Sequence, residues 1–372
     1  MNDTFIFSRT KFKAKNRFVL APMTHNMSAR NGNLSNDEIN WLNNCAQGGF
    51  GILITAATLV EEGGRCWYGQ PSLITKYQAK QFSVIAKNSN DNNVLAIVQL
   101  HHGGIRSEEH LNDTRPIGPT EILPNKRYLQ GVKELNDKEI ERLICSFVSS
   151  AIRAHTAGLH GIELHAAHNF LLCNFLNPTI NRRTDQWGGG VENRSRIIVR
   201  IIKSVRKQLP RDFIIGVRLS PESYGSINGI EWKNQVEVAS LLADNDIDYI
   251  HFSMIDTFKT SSSSTSSNLN KTEPLLSLIK EELGSKIPLL VAGKITNFAR
   301  ASNAFKLGAD LVAVGTAAIG NTTWVNSSLA HEQLSIQPFS QESIQKSGFN
   351  QAAIDYFYNF EGLMLRNKEE SN

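Results

Sequence analysis

No stretch of the 372-residue chain reaches the run of about 18 apolar residues that crossing a bilayer requires. The opening MNDTFIFSRTKFKAKNRF scatters charges where a secretion signal needs an unbroken apolar region, so the cytoplasm is the expected compartment and no membrane partner is expected. Cysteine is scarce. Cys45, Cys66, Cys145 and Cys173 stand without C-x-x-C or metal-type spacing, and read as free thiols rather than a disulfide framework. An excess of one charge is missing as well: 39 basic against 35 acidic residues leave a net +4, with the two signs interspersed. A nucleic-acid partner is therefore not expected. No G-x-G-x-x-G follows the first apolar run; FVLAPMT places a proline there, against a doubly wound dinucleotide-binding sheet.

What is present is alternation. Apolar, β-branched runs recur at 18–23, 51–57, 94–100, 161–166, 213–220, 249–254, 287–293 and 309–315, with amphipathic helical patterns between them. Strands alternating with helices make parallel βαβ units, and near-continuous apolar strands suit a sheet buried on both faces. Eight such units predict a single α/β domain over 1–372, a (β/α)8 TIM barrel whose core spans about 16–320. Residues 1–15 precede the barrel. The segment of about 103–135, after the third strand, is too long for a plain connection and is expected as a lid-like insertion, a small hairpin over the mouth. A helical tail of about 321–372 follows, and the Ser/Thr tract 261–267 reads as a loop after the sixth strand. Asn136 with Glu139 resembles a capping box opening the helix before GIELH, and Gly158 marks its end.

In such a barrel the chemistry sits at the C-terminal ends of the strands. The last two runs each end in glycine at a helix start, Gly293-Lys294 and Gly315-Thr316. Bare backbone N–H groups there suit a phosphate. Gln99 offers a donor and an acceptor to the edge of a heterocycle. Arg218 offers a permanent cation to a ring that bears negative charge, or else an ion pair closing the barrel end. In ELHAAHNFLL, His165 and His168 stand three residues apart. They read as substrate donors, core histidines or half a metal site, and no further His/Cys/Asp cluster announces a metal. His101 and His102, near the same mouth, read as one packed and one exposed residue.

These residues together resemble the old yellow enzyme family, of which the chain would be an atypical bacterial member. The likeness is carried by NRFVLAPMT, IVQLHHGG, the block GIELHAAHNFLLCNFLNPTINRRTDQWGGGVENRSR, GVRLSP and the two glycine strand ends. It implies an FMN-dependent oxidoreductase that takes hydride from NADH or NADPH and passes it through flavin N5 to a small-molecule electron acceptor. Position by position, it implies that Pro22, Met23 and Thr24 line the flavin ring and that Ala57 touches its edge. Gln99 would meet the pyrimidine end, and Arg218 the N1/O2 region. Gly293, Gly315 and Thr316 would hold the phosphate. His165 and His168, on one face if the segment is helical, would bind the acceptor oxygen. Self-association is left open.

Three positions depart from the family. Phe170 stands where a tyrosine usually protonates the acceptor carbon, and a phenyl ring cannot act as an acid; Tyr224 or a solvent molecule could replace it. Thr316 stands where an arginine usually grips the phosphate, which leaves Lys294 as the candidate cation. Asn26 stands where some bacterial members carry a tyrosine. Quinones, activated enones, nitro compounds and flavins are the expected acceptors. The alternatives are a non-catalytic FMN- or ligand-binding barrel and an RNA-modifying flavin barrel of dihydrouridine-synthase type.

Overall fold

The computed structural model describes residues 3–223, 228–260 and 273–366. Tyr224, the Ser/Thr tract and the last six residues of the expected tail lie outside the described residues. The apolar runs become the strands of a closed ring. They are β1 (Phe18–Leu20), β2 (Ile52–Ile54), β3 (Leu95–His101) and β4 (Gly161–Ala166). The ring continues with β5 (Ile214–Leu219), β6 (Tyr249–Ser253), β7 (Leu289–Ala292) and β8 (Leu311–Val314). Each pairs in parallel with the next, and β8 returns to β1 with Val314 opposite Leu20. The TIM barrel expected from the alternation is therefore observed.

The helices α1 (Asn36–Gln47), α2 (Lys76–Asp91), α3 (Asp137–Thr156) and α4 (Val191–Gln208) pack outside the ring. So do α5 (Trp232–Ala243), α6 (Leu275–Leu283), α7 (Phe298–Lys306) and α8 (Trp324–Leu329). Local signals fix their ends. Asn136 Oδ1 accepts from Glu139 N at 3.0 Å while Glu139 Oε2 accepts from Asn136 N at 3.0 Å, the expected box opening α3. Gly158 then takes a left-handed φ of +84° where the chain turns into β4.

Strand alternation splits the core in two. Phe18, Leu20, Leu53, Val98, Leu164, Val217 and Val291 face outward into the layer shared with the helices. Val19, Ile52, Ile54, Leu95, Ile97, Ile214 and Leu311 face inward and pack with Phe7 and Tyr249. Phe7 follows the first strand of a small hairpin, Phe5–Ile6 with Lys13–Ala14, which plugs the N-terminal end of the barrel. Each fully buried aliphatic side chain is worth about 1.5–3 kcal/mol, so the inner and outer layers together hold the ring shut.

The insertion after β3 is not a simple hairpin. Its arms Ile117–Gly118 and Lys133–Glu134 pair in parallel, and the antiparallel contact is limited to an Ile122–Val132 bridge. A two-stranded antiparallel ribbon would need matched arms, whereas Pro116, Pro119 and Pro124 remove donors along one of them. Beyond α8 the tail forms α9 (Gln341–Lys346) and α10 (Gln351–Phe357). Phe349 between them packs on Trp41 of α1 at 4.9 Å and on Phe357 at 5.0 Å. This docking returns α10 to the mouth of the barrel.

Candidate active site

The register of the central strands sets which side chains meet. Gln99 lies beside Glu163, and Arg218 lies between His165 on β4 and His251 on β6. Glu163 is fully buried inside the ring. Its Oε1 accepts from Gln99 Nε2 at 2.7 Å; its Oε2 accepts from Tyr249 Oη at 3.0 Å and meets His251 Nδ1 at 2.9 Å. Burial alone would raise its pKa. His251, Arg218 and Gln99 outweigh that and keep it below the usual carboxylate range. His251 is held below its ordinary value by burial, so the charge on Glu163 is matched by Arg218 rather than by an imidazolium. Gly216 makes room for this layer, since a Cβ there would sit 2.0 Å from the Tyr249 ring.

Arg218 is 7% exposed. Its Nη1 donates to Pro22 O at 3.3 Å and its Nη2 to Ser253 Oγ at 2.9 Å. Its buried Nε has no partner among the described residues. A buried guanidinium with an unspent N–H is a donor set prepared for an acceptor that arrives from outside the chain.

The histidine pair is not helical. His165 lies in β4, whereas His168 and Asn169 take left-handed φ values of 58°, and the next helical turn begins only at Leu171. The two rings meet because a strand end and a tight turn aim them at each other, centroids 5.0 Å apart at 85°. His168 N–H is fixed on Ser220 Oγ at 2.9 Å and its carbonyl on Arg106 Nη1 at 2.8 Å. Burial, reinforced by Arg218 and Arg106, holds both imidazoles well below 6.5 and therefore neutral.

The partners assign the protons. His165 Nδ1 accepts from Ala167 N at 3.4 Å, which leaves the ring proton on Nε2. His168 Nδ1 lies 3.4 Å from His165 Nε2 and accepts its proton, so His168 carries its own proton on Nε2. That nitrogen lies 2.8 Å from Ser253 Oγ, whose lone pairs take both this ring and Arg218 Nη2. The two imidazoles, the serine and the guanidinium thus form one hydrogen-bonded chain at the strand ends.

Of the other expected residues, Pro22 is buried and Met23 and Thr24 are half-buried at the end of β1. Ala57 is buried, its carbonyl accepting from Gln70 Nε2 at 3.3 Å. One N–H of Gln99 is committed to Glu163. Gly293 has φ +148° and its absent Cβ would strike Met254 O at 2.6 Å, so only glycine serves there. Gly315 is less constrained: a Cβ would meet nothing nearer than Met23 Sδ at 3.6 Å. Lys294 and Thr316 are exposed. Arg300 was not expected. From the first turn of α7 its Nε donates to Lys294 O at 2.6 Å and its Nη2 pairs with Asp256 Oδ1 at 2.7 Å. No sequence signal marks it, because its place beside Lys294 depends on how α7 docks.

The outer wall holds the remaining surprises. His101 and His102 are both buried, against the expectation of one exposed, because β3 runs through His101 and Gly64 packs against the His102 ring. Phe170 is enclosed by His101 at 4.3 Å and His165 at 4.9 Å, with the Arg106 guanidinium 4.5 Å over its face. Beside it opens a cavity of about 560 Å³ whose lining includes Cys66, Trp67, Arg106, Tyr128 and Tyr356. A second groove of similar size, between α2 and α3, lies on the outer helical layer among Lys76, Lys80 and Arg153. It is far from the strand ends and takes no part. Among the described residues no three His, Cys, Asp or Glu side chains gather as a metal site, and no helix is long and apolar enough to cross a membrane.

Residues 8–334 match the model of the NADH:flavin oxidoreductase / NADH oxidase family. The chain belongs to that family, the old yellow enzymes. It is 29% identical over 314 residues to a probable NADH-dependent flavin oxidoreductase of Bacillus subtilis, covering 83% of this chain and 82% of that protein. An NADPH dehydrogenase of Clostridium acetobutylicum is 28% identical over 328 residues, 87% of this chain and 93% of the relative. Its fold is that of an old yellow enzyme homologue from Zymomonas mobilis, with a TM-score of 0.78 at 24% identity over 95% of this chain and 98% of the other. This old yellow enzyme is an oxidoreductase that uses FMN and a nicotinamide donor. The residues fit the flavin: an unspent guanidinium N–H on Arg218, a strand end at Gly293 that admits only bare backbone, and a half-buried Met23-Thr24 edge.

Proposed function

We propose that this enzyme passes hydride from NADH or NADPH to a small electrophilic acceptor whose oxygen is held between His165 and His168. Quinones, activated enones, nitro compounds and flavins are the acceptors of this class. FMN, when bound, supplies the hydride relay between the nicotinamide and the acceptor. Pro22, Met23, Thr24, Ala57 and Gln99 would border its ring, Arg218 would meet its electron-rich edge, and Gly293, Lys294, Gly315 and Thr316 would surround its phosphate.

The observation that carries this reading is the pair of buried, neutral imidazoles whose facing nitrogens lie 3.4 Å apart at the strand ends. An oxygen arriving beside them would take the His165 Nε2–H now given to His168, and with Ser253 donating to His168 Nε2 the second ring would present Nδ1–H as well. As negative charge develops on that oxygen, the two neutral donors stabilise it, the logic of an oxyanion hole. Neutrality matters, because a protonated pair would repel itself and be repelled by Arg218. Ser253 can serve as acceptor or donor to His168 Nε2 and ties it to the guanidinium that is also anchored on Pro22. Burial of the pair keeps competing water from the donors.

The test is an absorbance spectrum followed by anaerobic addition of NADH and, separately, NADPH, then of a quinone. A yellow protein that bleaches with a nicotinamide and recovers its colour with the quinone is the expected result. Bleaching that persists after every acceptor would return the protein to a flavin-binding barrel without an oxidative half-reaction. The dihydrouridine-synthase reading draws no support from the site, where the Cys66 thiol is directed at Gly64 O and His101 rather than across the cavity.

A further inference from the structure

We propose that Tyr356, carried by the C-terminal helix α10, is the acid that protonates the acceptor carbon in place of the tyrosine that Phe170 replaces. This rests on the hydride transfer proposed above and assigns its proton.

Phe170 has no exchangeable proton, and Arg106 and the histidine rings enclose it. The proton therefore comes from another wall of the cavity or from solvent. Of the side chains lining that cavity that could give up a proton, Glu108 and His110 are exposed and paired with each other, Glu109 accepts from Gln130 N, and Ser107 is buried. Cys66, Tyr128 and Tyr356 remain. The Cys66 thiol lies 3.7 Å from Gly64 O and 3.6 Å from His101 Nε2, directed at the loop rather than across the cavity. Tyr128 belongs to the insertion and packs beside its own neighbour, Arg127. Tyr356 interacts with the Thr24 side chain, at the end of β1. Thr24 is two residues beyond Pro22, whose carbonyl holds the same guanidinium that reaches His168 through Ser253. The phenol therefore lies on the cavity wall beside the end of β1. It is half-buried, its ring packed on Phe360 at 5.0 Å, and α10 is fixed to the barrel through Phe357, Phe349 and Trp41. Burial raises its pKa above the usual phenol value, against Thr24 and Arg106, so it is protonated at neutral pH.

With an enone acceptor the step balances as follows. The hydride supplied by NAD(P)H forms a C–H bond at the β carbon. The C=C pair moves to give an enolate whose oxygen receives the N–H groups of His165 and His168. The α carbon then takes the Tyr356 proton as the O–H bond breaks, and the phenolate recovers a proton from solvent at the open cavity. A quinone needs no carbon protonation, because its product carries both protons on oxygen.

The experiment compares wild type with Tyr356→Phe and with Tyr128→Phe, using 2-cyclohexenone and a benzoquinone as acceptors. FMN content and the rate of anaerobic bleaching by the nicotinamide are read spectroscopically. Tyr356→Phe is expected to keep its FMN, its bleaching rate and quinone turnover within about threefold, while enone turnover falls about 100-fold or more. Tyr128→Phe is expected to leave both acceptors unaffected, and adding Phe170→Tyr to Tyr356→Phe is expected to restore the enone rate. Equal losses on both acceptors, or no selective loss on the enone, overturn the assignment. A wild-type enzyme that reduces the quinone but not the enone also overturns it, while leaving the proposed function intact. Failure of wild type with every acceptor would defeat the proposed function itself.

Discussion

The two ends of one barrel are built from the same eight strands and solve opposite problems. At the N-terminal end the inward positions are Val19, Ile52, Leu95, Ile214 and Leu311, closed beneath by Phe7. Further along β3, β4, β5 and β6 the inward positions become Gln99, Glu163, His165, Arg218, His251 and Ser253, all buried. The apolar end is stable through area removed from water, which is insensitive to fine geometry. The polar end is stable only as far as each donor finds its acceptor. Arg218 Nε is a place where that matching is left incomplete. Its open donor lies at the end of the ring where the chemistry of this fold sits.

This contrast can be broken from either side. The largest effect is expected from Glu163→Ala, which deprives Gln99, Tyr249 and His251 of their shared acceptor and leaves Arg218 uncompensated. Unfolding in urea should show a loss of about 3–5 kcal/mol, together with loss of bound FMN. Phe7→Ala at the opposite end should cost about 3 kcal/mol by the same measurement, yet leave the flavin spectrum and turnover unchanged. His165→Ala is expected to lower acceptor turnover about 100-fold, with anaerobic bleaching by the nicotinamide retained. A parallel loss in both half-reactions would mean that the ring positions FMN instead.

Acidification sharpens the comparison without mutation. Burial holds His101, His165 and His168 well below 6.5, and His102 at about 3. Below pH 6.5 the unfolded chain binds protons that these folded imidazoles refuse, so stability falls as pH falls toward the folded values. Each histidine contributes about 1.4 kcal/mol per pH unit in that window, and nothing above it. Urea midpoints at pH 7.5, 6.5 and 5.5 should therefore be flat and then drop. The smallest effect is expected from Lys294→Ala, about threefold in FMN Kd by fluorescence, because the side chain is exposed. An unchanged Kd would direct attention to Arg300.

The strands were legible because their period is short and their apolar runs are bounded by glycine and polar residues. The α3 cap was legible because Asn136 and Glu139 act over three residues. The geometry of the histidine pair was not. Spacing of three suggests a helix face, whereas the chain instead uses consecutive left-handed residues, which His and Asn tolerate better than most. Glu163 looked like one more strand residue, because a carboxylate in a barrel interior is explained only by the three partners that the other strands bring to it. Arg300 and Tyr356 were illegible for a related reason: each acts through the packing of a helix whose sequence says nothing about where it docks. Local patterns carry local structure, and the site is the least local part of this molecule.

The bond from Arg218 to the Pro22 carbonyl joins residues 196 positions apart. It can form only after β1, made first, has been enclosed by strands made much later. Loop closure over such a distance is entropically slow, and barrels rich in distant contacts fold accordingly. With Arg218 and Pro22 in the proposed flavin site, cofactor capture is expected as a late event, after the ring has closed. The flavin colour, followed during refolding, would time the moment when the first strand and the last come together.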